Sequence, residues 1–256
     1  GEPAGADFFA EVEKNMGLAG IPHQIKIEYG VITHFADQRF FPTEKGLNAI
    51  SGDIDFDELQ NSDLDIGTPV AVLHESADRK WVYTLSDLSD GWVKSENVGL
   101  CTLDEAQQFK EEDDLAVVVV PKADIYLNED LTRYYDYARM GTRLFIAEGP
   151  TKGIIEIDLP TRGVHGSLEL VAGYIRTDNA RQGYLPYTQR TLIEQAFRLL
   201  NAPYGWGGMH GEQDCSRFLN QVFSTVGLHL PRNSKEQGEV GKLLASFAEV
   251  ADTKAS

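Results

Sequence analysis

A chain of 256 residues has room for about two domains of ordinary size, or roughly three to four small ones. Its 23 basic and 40 acidic residues give a formal charge of −17, which argues against coating nucleic acid or adhering to an anionic lipid surface, since both need clustered cations. A hydrophobic content of 42% supports packed cores, and no run approaches the ~20 apolar residues of a membrane span.

Residues 1–30 form an N-terminal helical segment, with a short predicted helix from Phe8 to Met16 that Gly17 ends and Ile21-Pro22 keeps from resuming. From about Tyr29 to Leu100 the pattern is β: Val70-Ala-Val-Leu73 and Trp81-Val-Tyr83 are short apolar or alternating runs between polar turns. Leu103 to Lys110 reads as a linking helix, and the acidic run Glu111 to Asp114 as a solvated boundary. Val117 to Val120 then opens a second β stretch that continues to about Ile175.

The two β stretches echo one another. Gly67-Thr-Pro-Val-Ala-Val, Trp81-Val-Tyr83 and Gly91-Trp-Val-Lys94 are answered by Gly141-Thr-Arg-Leu-Phe-Ile, Ile154-Ile-Glu-Ile157 and Gly173-Tyr-Ile-Arg176. Short strands at this spacing suit small SH3-like barrels, so the expected architecture is a first SH3-like β-barrel over residues 31–104 and a second over 112–180.

The period changes after a boundary between Arg176 and Tyr187, and residues 185–256 read as α-rich. Leu192, Ile193, Ala196, Phe197 and Leu200 fall at helical spacing, with Thr188 as N-cap and Pro203 past the end. A Gly-rich loop, Tyr204-Gly-Trp-Gly-Gly208, precedes a second helical face of Phe218, Leu219, Val222, Phe223 and Val226 that Gly227 stops. Leu228-His-Leu-Pro231 leads to a third short helix.

Two cysteines, Cys101 and Cys215, make neither a disulfide scaffold nor a metal-ligand spacing, so no metal and no cofactor is expected. Cys101 follows a strand and reads as a small buried hydrophobe. Cys215 is different: Asp214 is a natural N-cap, which puts Cys215 at the first helical position, where the positive helix end favours a thiolate. Its i+3 and i+4 neighbours Phe218 and Leu219 belong to the apolar stripe, so the sulfur is expected on the inner side, within reach of a base carried by a covering layer. The glycines ahead of it would let backbone approach a substrate closely. As a nucleophile, Cys215 should be a free thiol and not be bridged to Cys101.

Tyr204-Gly-Trp-Gly-Gly208, Asp214-Cys-Ser216, Leu230-Pro-Arg232 and Ser234 to Gln237 together resemble the NlpC-type cell-wall endopeptidases. Leu185-Pro-Tyr-Thr-Gln-Arg190, Phe56-Asp-Glu-Leu-Gln60 and Val72-Leu-His-Glu-Ser76 are similar to the subgroup with two bacterial SH3-like domains ahead of the catalytic one. The resemblance implies a multidomain α+β chain: a short N-terminal helical segment, two tandem SH3-like β-barrels, and over 185–256 the helical N-terminal portion of a papain-like catalytic domain. It implies a cysteine peptidase of peptidoglycan stem peptides that cuts between γ-D-glutamate and a diamino acid. Cys215 would be the nucleophile and Tyr204 a support for the oxyanion, both catalytic. Asp214 and Ser216 would hold the peptide's amino end, and Trp206 would flank the substrate. Arg217 stands where the family often has Gly. The implied location is the cell envelope, periplasmic or secreted, with the signal peptide removed; Gly1-Glu-Pro-Ala-Gly carries neither an export signal nor an initiator Met.

The resemblance also expects a His from a strand well after the nucleophile helix. The six histidines are His23, His34, His74, His165, His210 and His229, and neither His210 nor His229 stands at that position. Residues 239–256 show no strand-like alternation, and the helices lack the sheet that would cover them. The base is therefore expected beyond residue 256, with a C-terminal fragment of the same protein and the stem peptide as partners. A different class of function, a wall-peptide-binding module built on tandem SH3-like barrels that cuts nothing, suits the same deficit. An acyltransferase or amidase on the same cysteine scaffold is a third reading.

Overall fold

The computed structural model describes residues 4–50, 52–111 and 114–242. Helix α1 (Ala6–Met16) ends where Gly17 turns left-handed at φ 63° and returns its N–H to the Lys14 carbonyl. It buries Val12, and the Met16 carbonyl meets His74 Nε2 at 2.8 Å, which ties the helix to the first sheet.

That sheet is antiparallel and contains β1 (Glu28–Ile32), β2 (Ala36–Arg39), β3 (Gln60–Leu64), β4 (Pro69–Glu75), β5 (Trp81–Leu85), β6 (Asp90–Lys94) and β7 (Val98–Cys101). The strands lie in the order β3-β2-β6-β5-β4-β1-β7. Ile32, Leu64, Val70, Val72, Val82, Val93 and Val98 fill its core, and β4 shows the period-2 burial of a strand packed on one face.

Helix α2 (Leu103–Glu111) links to a second antiparallel sheet. It holds β8 (Leu115–Val118), β9 (Lys122–Tyr126), β10 (Tyr134–Arg139), β11 (Arg143–Thr151), β12 (Ile154–Arg162), β13 (Leu168–Arg176) and β14 (Ala180–Gln182). The order β10-β9-β13-β12-β11-β8-β14 repeats the first sheet with every strand number raised by seven. The sequence echo is thus a topological repeat: its three paired motifs fall on β4 and β11, β5 and β12, β6 and β13. Gly67 and Gly141 open equivalent strands at φ 84° and 85°.

The repeat has a consequence for the site, because its equivalent edge strands, β3 and β10, converge. Ile66, just past β3, packs in the second core, and Tyr135 Oη on β10 donates to the Thr33 carbonyl at 3.0 Å. Between the edges, Arg139 at the end of β10 reaches Asp63 on β3 through two nitrogens at 2.6 Å, and Asp65 at 2.7 and 2.9 Å.

The C-terminal segment is helical: α3 (Gln189–Arg198), a 3-10 stretch (Trp206–Gly211), α4 (Cys215–Ser224) and α5 (Ser234–Gln237). Thr188 caps α3 by accepting from the Thr191 N–H, as expected. Leu199, Val222 and Met140 form a small core, with Leu192, Ala196 and Phe218 against it. The other apolar face of α3 is uncovered: Ile193 and Phe197, with Leu200 just past the helix end, are 56–66% exposed. Val226, expected within the second helical face, lies beyond the end of α4.

Arg139 carries no solvent-exposed surface and holds two carboxylates, so Arg139→Ala should cost about 3–5 kcal/mol in urea denaturation by leaving buried charge uncompensated. Lys110→Ala, which removes an ion pair between exposed side chains, should change stability by no more than about 1 kcal/mol.

Candidate active site

Cys215 is the first residue of α4, and its side chain is exposed. Asp214 caps the helix as expected, its Oδ1 accepting from the Arg217 N–H at 2.8 Å and the Ser216 hydroxyl at 3.0 Å. Both cysteines are free thiols.

The expectation that α4 turns its apolar stripe inward, and Cys215 with it, is met only for Val222 and, in part, Phe218, which reach the small core with Leu199. The rest of the buried face is polar, made of Ser216, Arg217, Asn220 and Gln221, whereas Cys215 and Leu219 lie on the exposed side. Ion pairing explains the reversal. Arg217, 3% exposed, sits between Asp63 at 2.8 Å and Asp65 at 2.5 Å, sharing those carboxylates with Arg139. Two Asp and two Arg thus form a neutral buried cluster that joins β3, β10 and α4. Burial alone would raise the Asp65 carboxyl, but the two guanidiniums outweigh it and hold it below the ordinary 3.8.

The glycines of the loop also serve a purpose the sequence did not suggest. A Cβ on Gly208, at φ 86°, would stand 1.4 Å from Asp63 Oδ2, and one on Gly207, at φ 58°, 2.8 Å from the Gln60 side chain. Gln60 Nε2 donates to the Gly207 carbonyl at 3.3 Å. The loop's close approach is therefore to edge strand β3. It covers the open edge of the first sheet, a row of backbone groups that would otherwise invite pairing.

From this base the loop presents Tyr204, 52% exposed, and Trp206. Gly205 N–H bonds the Gln213 carbonyl at 3.2 Å, which brings Tyr204 beside Asp214 and Cys215. Partial burial, then the negative charge of Asp214 and Cys215, raises the Tyr204 phenol above its ordinary 10, so near neutral pH it is an uncharged donor. Phe56, from the segment before β3, lies 5.9 Å from Tyr204 and 5.5 Å from Trp206 between ring centroids. It forms a third aromatic wall that sequence reading quoted only as part of a motif.

The site therefore unites Cys215, Asp214, Ser216 and Tyr204, with Trp206 joined through Phe56. Asp214 and Ser216 are nearly buried and already engaged by Arg232. Burial would raise the Asp214 carboxyl, but the hydrogen bonds and charge of Arg232 prevail and hold it below 3.8. Among the described residues no histidine is hydrogen-bonded to Cys215: His34 pairs with Asp136 at 2.9 Å and His74 with the Met16 carbonyl. No cluster of metal-ligating side chains occurs among the described residues either.

Residues 48–94 match the sequence model of an SH3 domain (SH3b1 type), and residues 201–252 match that of the NlpC/P60 family. In structure the chain is similar to an NlpC/P60 endopeptidase from Photobacterium damselae subsp. piscicida, at 26% identity and TM-score 0.75. That match covers 92% of this chain and 51% of the other, so the chain spans about half the length of that protein. An NlpC/P60 family protein from Bacillus cereus ATCC 10987 shares the fold at 18% identity and TM-score 0.63, with 83% of this chain and 77% of the other covered. No curated protein matches the sequence.

Gly208→Ala should destabilise the protein by about 2–4 kcal/mol in urea denaturation, through strain at positive φ and collision with Asp63. The two thiols should also differ. Burial and then Glu105 push Cys101 up to about 11, so at pH 8 one thiol per chain should react rapidly with a soluble disulfide reagent, and Cys215→Ala should remove that phase.

Proposed function

We propose that this chain, NlpC/P60-type with SH3b-type β-regions ahead of the catalytic segment, supplies the nucleophile of a cysteine endopeptidase that hydrolyses peptidoglycan stem peptides between γ-D-glutamate and a diamino acid. The observation that carries the reading is Cys215, exposed at the first position of a capped helix beside a neutral tyrosine. Cys215 Sγ attacks the scissile carbonyl, forming a thioester as the diamino acid's amine departs with a proton. Water then releases the γ-D-glutamyl product. The Tyr204 hydroxyl donates to the oxyanion of each tetrahedral intermediate. Trp206 and Phe56 wall the cleft, and the edge of Asp214 and Ser216 left open by Arg232 receives the peptide's amino end.

The proton carrier is a histidine from polypeptide outside the described residues. The uncovered face of Ile193, Phe197 and Leu200 supports this, since a papain-like domain buries such a face under the layer that bears its base. A cell-wall substrate places the protein outside the cytoplasm, in the envelope. The absence of a His–Cys215 hydrogen bond among the described residues equally favours the second reading, a wall-peptide-binding module without turnover.

Release of free diamino acid from a stem tetrapeptide separates the two. Residues 1–256 alone should cleave negligibly, while the longer protein or a reconstituted pair should cleave it. In the active form Cys215→Ala should abolish turnover and leave peptide binding intact. Tyr204→Phe should slow turnover by about 10–1,000-fold, the effect of losing one oxyanion donor. Unchanged turnover in Cys215→Ala would end the peptidase reading, and binding without turnover in the longer protein would establish the module.

A further inference from the structure

Arg232 has no part in the chemistry above, yet all three of its guanidinium nitrogens are engaged beside Cys215. The residue is 5% exposed. Its guanidinium grips Asp214 at both carboxylate oxygens, Nη2 to Oδ2 at 2.8 Å and Nη1 to Oδ1 at 3.3 Å. Nη1 also donates to the Ser216 hydroxyl at 2.9 Å. Nε donates to the hydroxyl of Ser62, 170 residues earlier and wholly buried on β3, at 2.9 Å. One planar fork thus holds both residues that flank Cys215 and fastens them to the first sheet.

The turn carrying this fork is itself fixed. The Pro231 carbonyl accepts from Asn220 Nδ2 of α4 at 3.1 Å and from Gln237 Nε2 of α5 at 2.8 Å, and Gln237 Nε2 also reaches the Ser216 carbonyl at 3.0 Å. Arginine suits this position because three nitrogens in one rigid plane serve three partners while the charge stays on at any ordinary pH. A lysine would keep the charge and lose the geometry.

We propose that Arg232 is a positioning residue for Cys215, hanging the Asp214 cap of α4 from Ser62 of β3 so that the first sheet sets where the nucleophile stands. The inference deepens the peptidase reading and rests on Cys215 being its nucleophile. Two effects follow when the fork is lost. Asp214 is free to leave the Arg217 N–H, so the first turn of α4 frays. Its carboxylate also stands next to Cys215 without its compensating cation, and that disfavours a thiolate there. The other groups facing Asp214 are the Arg217 N–H, the Ser216 hydroxyl and Tyr204, neutral near pH 7, and none of them is a cation that replaces the lost charge.

The test uses the full chain with Cys101→Ser and follows alkylation of Cys215 by iodoacetamide at pH 7, a readout that requires no turnover. Arg232→Ala should slow alkylation by about tenfold, and millimolar guanidinium, which fits the space left, should restore at least half of the rate. Arg232→Lys should remain slow despite its charge. Ser62→Ala, remote from Cys215 in sequence, loses the bond from Arg232 and a long 3.4 Å bond to the Asp63 carbonyl, and should slow alkylation by about twofold to threefold. It also keeps the proposal open to refutation if Arg232→Ala fails to fold. An unchanged rate in folded Arg232→Ala, or a slow rate that guanidinium does not rescue, would overturn it; so would an unchanged rate in Ser62→Ala where Arg232→Ala does not fold. If the variants behave as expected but the longer protein never cleaves a stem peptide, the positioning role stands and the peptidase reading falls.

Discussion

Two aspartates and two arginines, buried together where three parts of the chain meet, set the geometry of everything around Cys215. Asp63 and Asp65 come from the first sheet's edge, Arg139 from the second sheet's edge, and Arg217 from the first turn of α4. Removing charges from water is costly, so a cluster like this persists only when every member keeps its partners. That demand fixes register rather than adding much net stability. A slide of α4 by one residue would strand a guanidinium, and a shift of one sheet against the other would strand a carboxylate.

The tandem repeat makes this arrangement possible. Two sheets of the same strand order present equivalent edge strands, and the edges differ in sign, with carboxylates on β3 and a guanidinium on β10. Their attraction joins the sheets, and the charge shared between them draws in α4. Strand β3 then does more than pair: Gln60 holds the glycine loop, Ser62 meets Arg232, and Asp63 holds both arginines. The glycine loop that carries Tyr204 and the two arginines nearest Cys215 in the fold, Arg217 and Arg232, are thus all reached from one strand. The β-regions are therefore part of the site's framework.

Much of this was legible in the sequence and the rest was hidden for identifiable reasons. The Asp214 cap, Cys215 at the helix start, the Thr188 cap of α3 and the strand echo are local patterns, and local patterns survive in a linear reading. The buried face of α4 was misjudged because hydrophobic periodicity assigns burial by side-chain polarity, and Arg217 is buried through partners 152 and 154 positions away. No periodic signal records a pairing at that distance. The one visible trace was Arg217 standing where the family often has Gly, and nothing local said what it pairs with. The loop glycines were correct as a sign of close approach, but the sequence reading named a substrate where the structure has edge strand β3.

The most direct test of this account is native-state hydrogen exchange on Asp63→Asn, which removes one charge of the cluster while keeping its shape. If the cluster holds α4 in place, amides from Phe218 to Ser224 lose protection together, while the sheet cores around Val93 and Ile157 keep theirs. Unchanged protection of α4 in that variant would contradict the account, because the helix bearing Cys215 would then be held by its apolar contacts with α3 and not by the charges of the two sheets.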